Sequence, residues 1–407
     1  MNIPINLLQN REILLGVTGS IACYKSLELV RLFVKAGAEV KVVMSESAKK
    51  FVTPLTFETL TSNRVLDDTN ESWVDDFNHI KMTEWAECFV IAPATANTMA
   101  KLAHGIADTM LLQCALAFSG KIVLAPSANT NMIHNKLTQK NINILQETNY
   151  TFVSTQVKEL ACKTIGDGAM AEPIDIFWAT ARELLKDEFW SDREVLVTGG
   201  GTIEKIDDVR FISNFSSGKM ASAMATALYC KGANVELIAT KLDTDLPSEL
   251  NITSVMGTQE MYTALEESLK IAKEKGSKKP YLFMAAAVSD YVPNTQKSGK
   301  LKKDKIGSEW KLKLTKNRDI LASVDKEGVI VVGFKAEMDA DNAKKNATNM
   351  LEKKSINAVC LNVLQDSSSF GLDTNEIEFI TRDSSVLIPS AQKLEIAFKI
   401  LDNAKRI

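Results

Sequence analysis

Cysteine is scarce and poorly spaced for disulfide or metal chemistry. The six cysteines, Cys23, Cys88, Cys114, Cys162, Cys230 and Cys360, never form a CxxC pair, which excludes a disulfide framework and a cysteine-ligated zinc site and fits a reducing compartment. Long apolar runs are missing too. No segment reaches the ~18 uninterrupted apolar residues of a membrane span, and the opening MNIPINLLQNRE lacks the basic and apolar regions of an export signal. A cytoplasmic protein with no membrane partner is expected. Neither sign of charge dominates: 48 basic residues stand against 51 acidic ones, a net charge of −3. Such a chain has no global field for a polyanion, so nucleic acid is excluded as the main partner and phosphate binding must be local.

What is present is the balance of a globular protein, 45% hydrophobic and 24% charged over 407 residues, a length that predicts two domains. Two stretches open alike. ILLGVTGS at 13 to 20 is an apolar run ending in a glycine-containing turn, followed by a helical pattern through Leu27, Val30 and Val34, then Gly37 and the strand-like EVKVVM. EVLVTGGG at 194 to 201 repeats the plan, with a helix through MASAMATALYCK, Gly232 and the strand NVELIAT. Each is a βαβ beginning. Further apolar runs, CFVIAPA and KIVLAPSA around a helix at 96 to 117, then YLFMAAAV, VIVVGF and NAVCLN, continue the alternation. The predicted fold class is α/β, two Rossmann-like doubly wound parallel-sheet domains, 1–190 and 191–407, with ligands at the carboxyl ends of the strands.

In the first half, the turn GVTGSIACYK lacks GxGxxG spacing, so a dinucleotide fingerprint is unsupported. Gly19 and Ser20 would still offer N–H groups and a hydroxyl to a phosphate at a helix start; an ordinary tight turn is the equal alternative. Two adjacent strands deliver Pro93, Thr95 and Asn97, and Pro126, Ser127, Asn129 and Asn131, to one rim, which core packing does not require. His79 is one of three histidines and Cys162 lies in a glycine-rich loop; taken alone, each is more often structural than chemical.

Together, GSIA at 19 to 22, His79-Ile80, APATANT, GIAD at 105 to 108, the asparagine of PSANTNM and the cysteine-bearing ELACKTIGDGAM resemble the flavin-dependent cysteine decarboxylase family, phosphopantothenoylcysteine decarboxylases in particular. Departures are Ala128, where the family commonly has Met, and Ala169, where it carries Arg or a similar residue. The resemblance implies FMN held by Gly19, Ser20, Ile21, Ala22, Ser45, Thr95, Ala96 and Asn97. It also implies roles for three residues: His79 handles a proton or orients the carboxylate, Asn129 hydrogen-bonds the carboxylate, and Cys162 supplies the final proton. The chemistry needs such a set because direct loss of CO2 would leave an unstabilised carbanion; oxidation of the thiol to a thioaldehyde first creates an electron sink.

In the second half, SGKM is not a phosphate loop, because Met220 follows Lys219 and Ser213 stands where the first glycine belongs. Gly199 to Gly201 would either cradle a phosphate or serve a turn that needs positive φ. The stretch KSGKLKKDKIGSEWKLKLTK at 297 to 316 holds eight lysines against Asp304 and Glu309 and follows AAAVSDY. A lysine loop beside the strand-end carboxylate of Asp290 suits a triphosphate with Mg2+.

TGGGTIE, RFISNFSSGKM, AAAVSDY, KLKK, KNRDIL, VGFKAE and NAVCLN make this half similar to phosphopantothenate–cysteine ligases. That resemblance implies Asn214 at an acyl-cytidylate, Lys300 on the nucleotide phosphates, and a CTP pocket of Asp290, Asp319, Ile320, Leu321, Phe334 and Lys354, with Asp290 on the metal. Arg318 replaces a common Pro and Met350 an expected lysine. The two halves imply consecutive steps of coenzyme A biosynthesis on small-molecule substrates (4'-phosphopantothenate, cysteine and CTP), in a homo-oligomer with trimeric contacts in the first domain and dimeric contacts in the second.

Overall fold

Apolar runs closed by small residues become buried parallel strands in both halves of the chain. The computed structural model describes residues 3–159, 165–301, 309–364 and 371–407, and contacts divide it into two units, Ile3–Leu185 and Lys186–Ile407. Cys162 and the lysines at 302, 303 and 305 lie outside the described residues.

The first unit has five parallel strands, β1 (Glu12–Val17), β2 (Glu39–Met44), β3 (Cys88–Ala94), β4 (Ile122–Pro126) and β5 (Tyr150–Phe152), in the order β2-β1-β3-β4-β5. Every residue of β3 and β4 is buried, as central strands with covered faces require. The helix Cys23–Lys35 between β1 and β2 buries Leu29, Val30 and Phe33 and leaves Val34 exposed, so of the expected Leu27, Val30 and Val34 only Val30 is fully buried. Phe33 meets Phe177 of the helix Pro173–Leu185 at 5.7 Å. Instead of one helix at 96 to 117 there are two, Ala96–Ala103 and Met110–Ala117. Gly105 breaks the run at φ +65, and Thr109 caps the second helix by accepting from the Leu112 amide. An antiparallel hairpin follows, β6 (Gln156–Glu159) and β7 (Ile165–Ala169).

The second unit contains β8 (Glu194–Gly199), β9 (Glu204–Lys205), β10 (Phe211–Ile212), β11 (Asn234–Ala239), β12 (Asn251–Ser254), β13 (Tyr281–Met284), β14 (Tyr291–Pro293), β15 (Leu314–Lys316), β16 (Ile330–Glu337), β17 (Ala358–Val363), β18 (Thr374–Ile380) and β19 (Ser385–Gln392). Eight of them form one sheet, β12-β11-β8-β13-β16-β17-β18-β19. It is parallel through β17 and ends in an antiparallel hairpin. The remaining four make two short antiparallel ribbons, β9 with β10 and β14 with β15. The helix Lys219–Cys230 lies so close to β8 that a Cβ on Gly199 would stand 2.5 Å from that of Ala221. At the opposite end of the sheet, Trp190 packs on Tyr281 at 4.9 Å, the Tyr281 hydroxyl donates to the Ala404 carbonyl (3.0 Å), and the Lys405 ammonium pairs with Asp187. No helix among the described residues is long and apolar enough to cross a membrane.

Candidate active sites

The strand order of the first unit reverses between β1 and β3, and in such sheets the reversal opens a crevice at the carboxyl ends. The sequence sends small polar residues there from three strands. Leaving β1, the Thr18 hydroxyl donates to the Pro93 carbonyl (2.6 Å) and accepts from the Thr95 amide (3.2 Å), while the Ser20 and Ser127 hydroxyls lie 3.0 Å apart. Leaving β2, the Ser45 amide donates to the Val17 carbonyl (3.1 Å). A Cβ on Gly19 would stand 2.4 Å from that of Ser47, a close approach that only glycine permits. Thr95 caps the helix holding Ala96 and Asn97, and Ile21 and Ala22 lead into the helix at Cys23. Neutral hydroxyls and main-chain N–H groups at a helix start are a donor set that fits a flavin phosphate. Lys25, on the same helix, is engaged by the Met170 carbonyl and by Glu172, each at 3.1 Å.

His79 starts the helix His79–Trp85, whose cap is the buried Asn78. Its Nδ1 lies 2.7 Å from the Glu71 carboxylate and its ring meets Trp73 edge-on at 5.8 Å. The carboxylate fixes the tautomer with the proton on Nδ1, leaving Nε2 to exchange one. Asn129 caps the four-residue helix Thr130–Ile133, its Oδ1 accepting from the Asn131 amide (2.9 Å). Strand β7 is strapped to this loop at two points. The Ala128 amide donates to the Gly168 carbonyl (3.0 Å), and His134 Nε2 lies 2.6 Å from the Asp167 carboxylate. A Cβ on Gly168 would fall 1.9 Å from the Ala128 carbonyl oxygen.

In the second unit, β8 ends in a turn where Gly200 takes φ +79 with its Cβ position 2.1 Å from Thr240 Oγ1, so this glycine serves the turn. Asn214 stands beside Gly201 and its amide donates to the Val288 carbonyl (3.1 Å) at the exit of β13. Beyond it, Asn317 holds the loop by donating to the Ser289 carbonyl (2.7 Å) through its side chain and to the Asp290 carbonyl (2.8 Å) through its main chain. A pocket of about 840 Å³ opens here, and Asp290, Asp319, Ile320, Leu321, Phe334 and Lys354 all line it. Asp319 caps the helix Ile320–Ser323 and pairs with Lys354. Burial pushes Lys354 below the usual lysine range; the Asp290 carboxylate opposes that and Lys316 adds to it. Among the described residues no cluster of three or more metal-ligating side chains forms. The Asp290 carboxylate in this lining would still offer an oxygen ligand to a Mg2+ that keeps phosphate and water ligands, whereas both Asp319 oxygens are engaged, by the Ala322 amide (3.0 Å) and by Lys354.

Lys300 is exposed and stands apart from that lining among the described residues. Its segment is pinned: the Gly299 amide donates to Asp208 (2.7 Å), the Leu301 amide to Asp207 (3.2 Å), and Arg210 to the Leu301 carbonyl (3.1 Å). Arg318 lines the same pocket and lies over the Tyr262 ring, 4.1 Å from its centroid, and Met350 lines it too, its Cε 2.8 Å from where a Gly333 Cβ would be. Sequence reasoning missed Glu71, which lies in an irregular segment eight residues from its histidine, and Lys353, which joins Lys354 around this pocket; Lys316, the last of the eight lysines of the 297–316 stretch, lines it too.

Comparison with known proteins gives the same two-part division. Residues 3–185 match the family described as Flavoprotein, and residues 190–407 match the DNA/pantothenate metabolism flavoprotein C-terminal domain. The chain is similar to the coenzyme A biosynthesis bifunctional protein CoaBC of Haemophilus influenzae, 35% identical over 97% of each chain, to that of Bacillus subtilis, 35% over 97% of each, and to that of Escherichia coli, 32% over 97% of each. A solved C-terminal domain of a CoaBC protein is 26% identical with a TM-score of 0.44, covering 54% of this chain and 97% of that one. For the FMN binding protein AtHal3 the values are 32% and 0.38, covering 42% of this chain and 95% of that one.

Proposed function

Because the chain belongs to the family of coenzyme A biosynthesis bifunctional proteins, we propose that its second unit joins 4'-phosphopantothenate to cysteine at the expense of CTP and that its first decarboxylates the product to 4'-phosphopantetheine. The observation that carries the reading is the convergence of Asp290, Asp319, Ile320, Leu321, Phe334 and Lys354, drawn from separate segments, on one pocket beside Asn214.

A free carboxylate resists amine attack because oxide would have to leave; transfer to the CTP α-phosphate makes an acyl-cytidylate and releases pyrophosphate. Cysteine's amine then displaces CMP. Asn214 would hold the acyl group through its amide. Lys354 and a Mg2+ on Asp290 would offset charge on the leaving phosphates, the largest electrostatic demand of the step, and Lys300 would join them on release of the Gly299 and Leu301 amides from Asp208 and Asp207.

In the first unit, Gly19 to Ala22, Ser45 and Thr95 to Asn97 would hold FMN. Bound there, it supplies the reversible two-electron oxidation that makes a cysteinyl carboxylate labile. Asn129 would bind that carboxylate, His79, oriented by Glu71, would move the proton, and Cys162 would return one to carbon. We place the change of function near residue 190, in a cytoplasmic homo-oligomer with trimeric contacts in the first unit and dimeric contacts in the second.

Limited proteolysis near residue 190, followed by absorbance and pyrophosphate assays, tests this. The piece 1–190 should stay yellow, and the piece 191–407 should be colourless and release pyrophosphate from CTP with phosphopantothenate. Flavin travelling with 191–407 would refute the assignment.

A further inference from the structure

One step outside the lining of the larger pocket, a hydrogen-bonded chain links two elements that do not reach it to two loops that do. It starts at Glu204 in β9. The helix Thr258–Lys275 opens at Gly257 without a side-chain cap of its own, and the Glu204 carboxylate supplies one from across the fold, accepting from the Thr258 amide (3.0 Å) and the Thr258 hydroxyl (2.6 Å). An anion is favoured at that end of a helix. Thr258 is buried, and its oxygen in turn accepts from the side-chain amide of Asn317 (2.7 Å), which also donates to the Ser289 carbonyl (2.7 Å). The Asn317 oxygen accepts from the Arg318 amide (2.8 Å), and its main-chain N–H reaches the Asp290 carbonyl (2.8 Å). Both amide hydrogens and the oxygen of this side chain are engaged.

The chain has a direction. A carboxylate only accepts and a hydroxyl carries a single proton, so Glu204 at 2.6 Å takes the Thr258 proton in preference to Thr202 at 3.4 Å and leaves Thr258 as an acceptor. That choice fixes the Asn317 amide, which if turned over would set its oxygen against the Ser289 carbonyl. Asn317 in turn joins the loop of Ser289 and Asp290 to the loop of Arg318 to Leu321, and both contribute to the pocket wall. Glu204 and Thr258 do not. We propose that Glu204 and Thr258 are positioning residues for nucleotide use: by directing the hydrogen bonds of Asn317 they hold these two loops at the separation that CTP with its Mg2+ needs, without touching either. This rests on the ligase reading above.

The test uses the full chain and two readouts. Thr258→Val keeps the shape but strands one Asn317 hydrogen, and in pyrophosphate release the half-saturating concentrations of CTP and of Mg2+ should each rise about 5- to 50-fold, the range for a donor left without its partner. Those for 4'-phosphopantothenate and cysteine should stay within about twofold, as expected when only nucleotide binding is disturbed. Glu204→Ala should raise the same two values, because the freed Thr258 proton can then turn towards Asn317. Thr258→Ser restores the hydroxyl and should return all four to near the wild-type level. An equal rise for all four, no rise, or a rise that Thr258→Ser shares overturns the proposal. Backbone hydrogen exchange, read by mass spectrometry with no substrate present, needs no turnover. Thr258→Val should speed exchange in residues 317–322 about 5- to 50-fold and leave β1 and β3 of the first unit unchanged; that result supports the relay even if no pyrophosphate is ever released and the ligase reading falls. Pyrophosphate release with unchanged exchange at 317–322 overturns the relay and leaves the ligase reading standing.

Discussion

A single amide separates the two kinds of polar group at the end of β13. Asn214 offers its N–H to the Val288 carbonyl, and an aspartate there would set an acceptor against an acceptor and add charge beside an acyl phosphate. The cost of such a mismatch is about 1–3 kcal/mol, so Asn214→Asp should still bind CTP while turning over roughly 10- to 100-fold more slowly. Mass spectrometry of quenched reactions should show the acyl-cytidylate changed in amount; normal turnover would remove Asn214 from the mechanism. Asn214 was legible beforehand because it sits within a long motif next to a strand end. Glu71 was not, since nothing in an irregular stretch marks which carboxylate will reach a histidine.

Strand β7 shows how tightly a short element can be specified. Its Gly168 has no room for a side chain, because the clash would be with the main chain of Ala128 and not with a side chain able to rotate. Gly168→Ala must push the hairpin off the loop that carries Asn129, at about 1–3 kcal/mol for such overpacking. The variant should keep its flavin absorbance and its CTP-dependent pyrophosphate release, and should lose decarboxylation of supplied phosphopantothenoylcysteine by ~10-fold or more, as misplacement by an ångström costs in other sites. Retained decarboxylation would show that the strap is dispensable. The central parallel strands were readable as apolar runs because both of their faces are covered; β5 and β12, at the sheet edges and incompletely buried, were not. Strands β18 and β19 were not, since Ile377, Phe379, Ile380 and Ile388 are the buried positions among largely polar residues, a pattern too sparse to register as a run. The break at Gly105 was hidden for the opposite reason: apolar residues continue on both sides of it.

Each unit is a continuous stretch of chain, which is why a repeated βαβ opening was enough to suggest two of them. The second has a further property that the contacts of Tyr281 with Ala404 and of Asp187 with Lys405 confer. They bring the beginning and the end of that stretch to one place on its surface, away from the strand ends where substrates gather. Chain ends held this close make a unit's connectivity separable from its shape. A circularly permuted form, in which a short glycine–serine linker joins residue 407 to residue 186 and new ends open at the exposed turn at Gly328 (φ +73, no atom near its missing Cβ), should fold and release pyrophosphate from CTP within about tenfold of the unpermuted 186–407 piece, as tolerated sites of rearrangement do. Failure of the permuted form to fold, where the unpermuted piece folds, would mean that the order of strand formation matters as well as the final contacts. Success would mean that the ligase half could be inserted as a cassette within a loop of another protein.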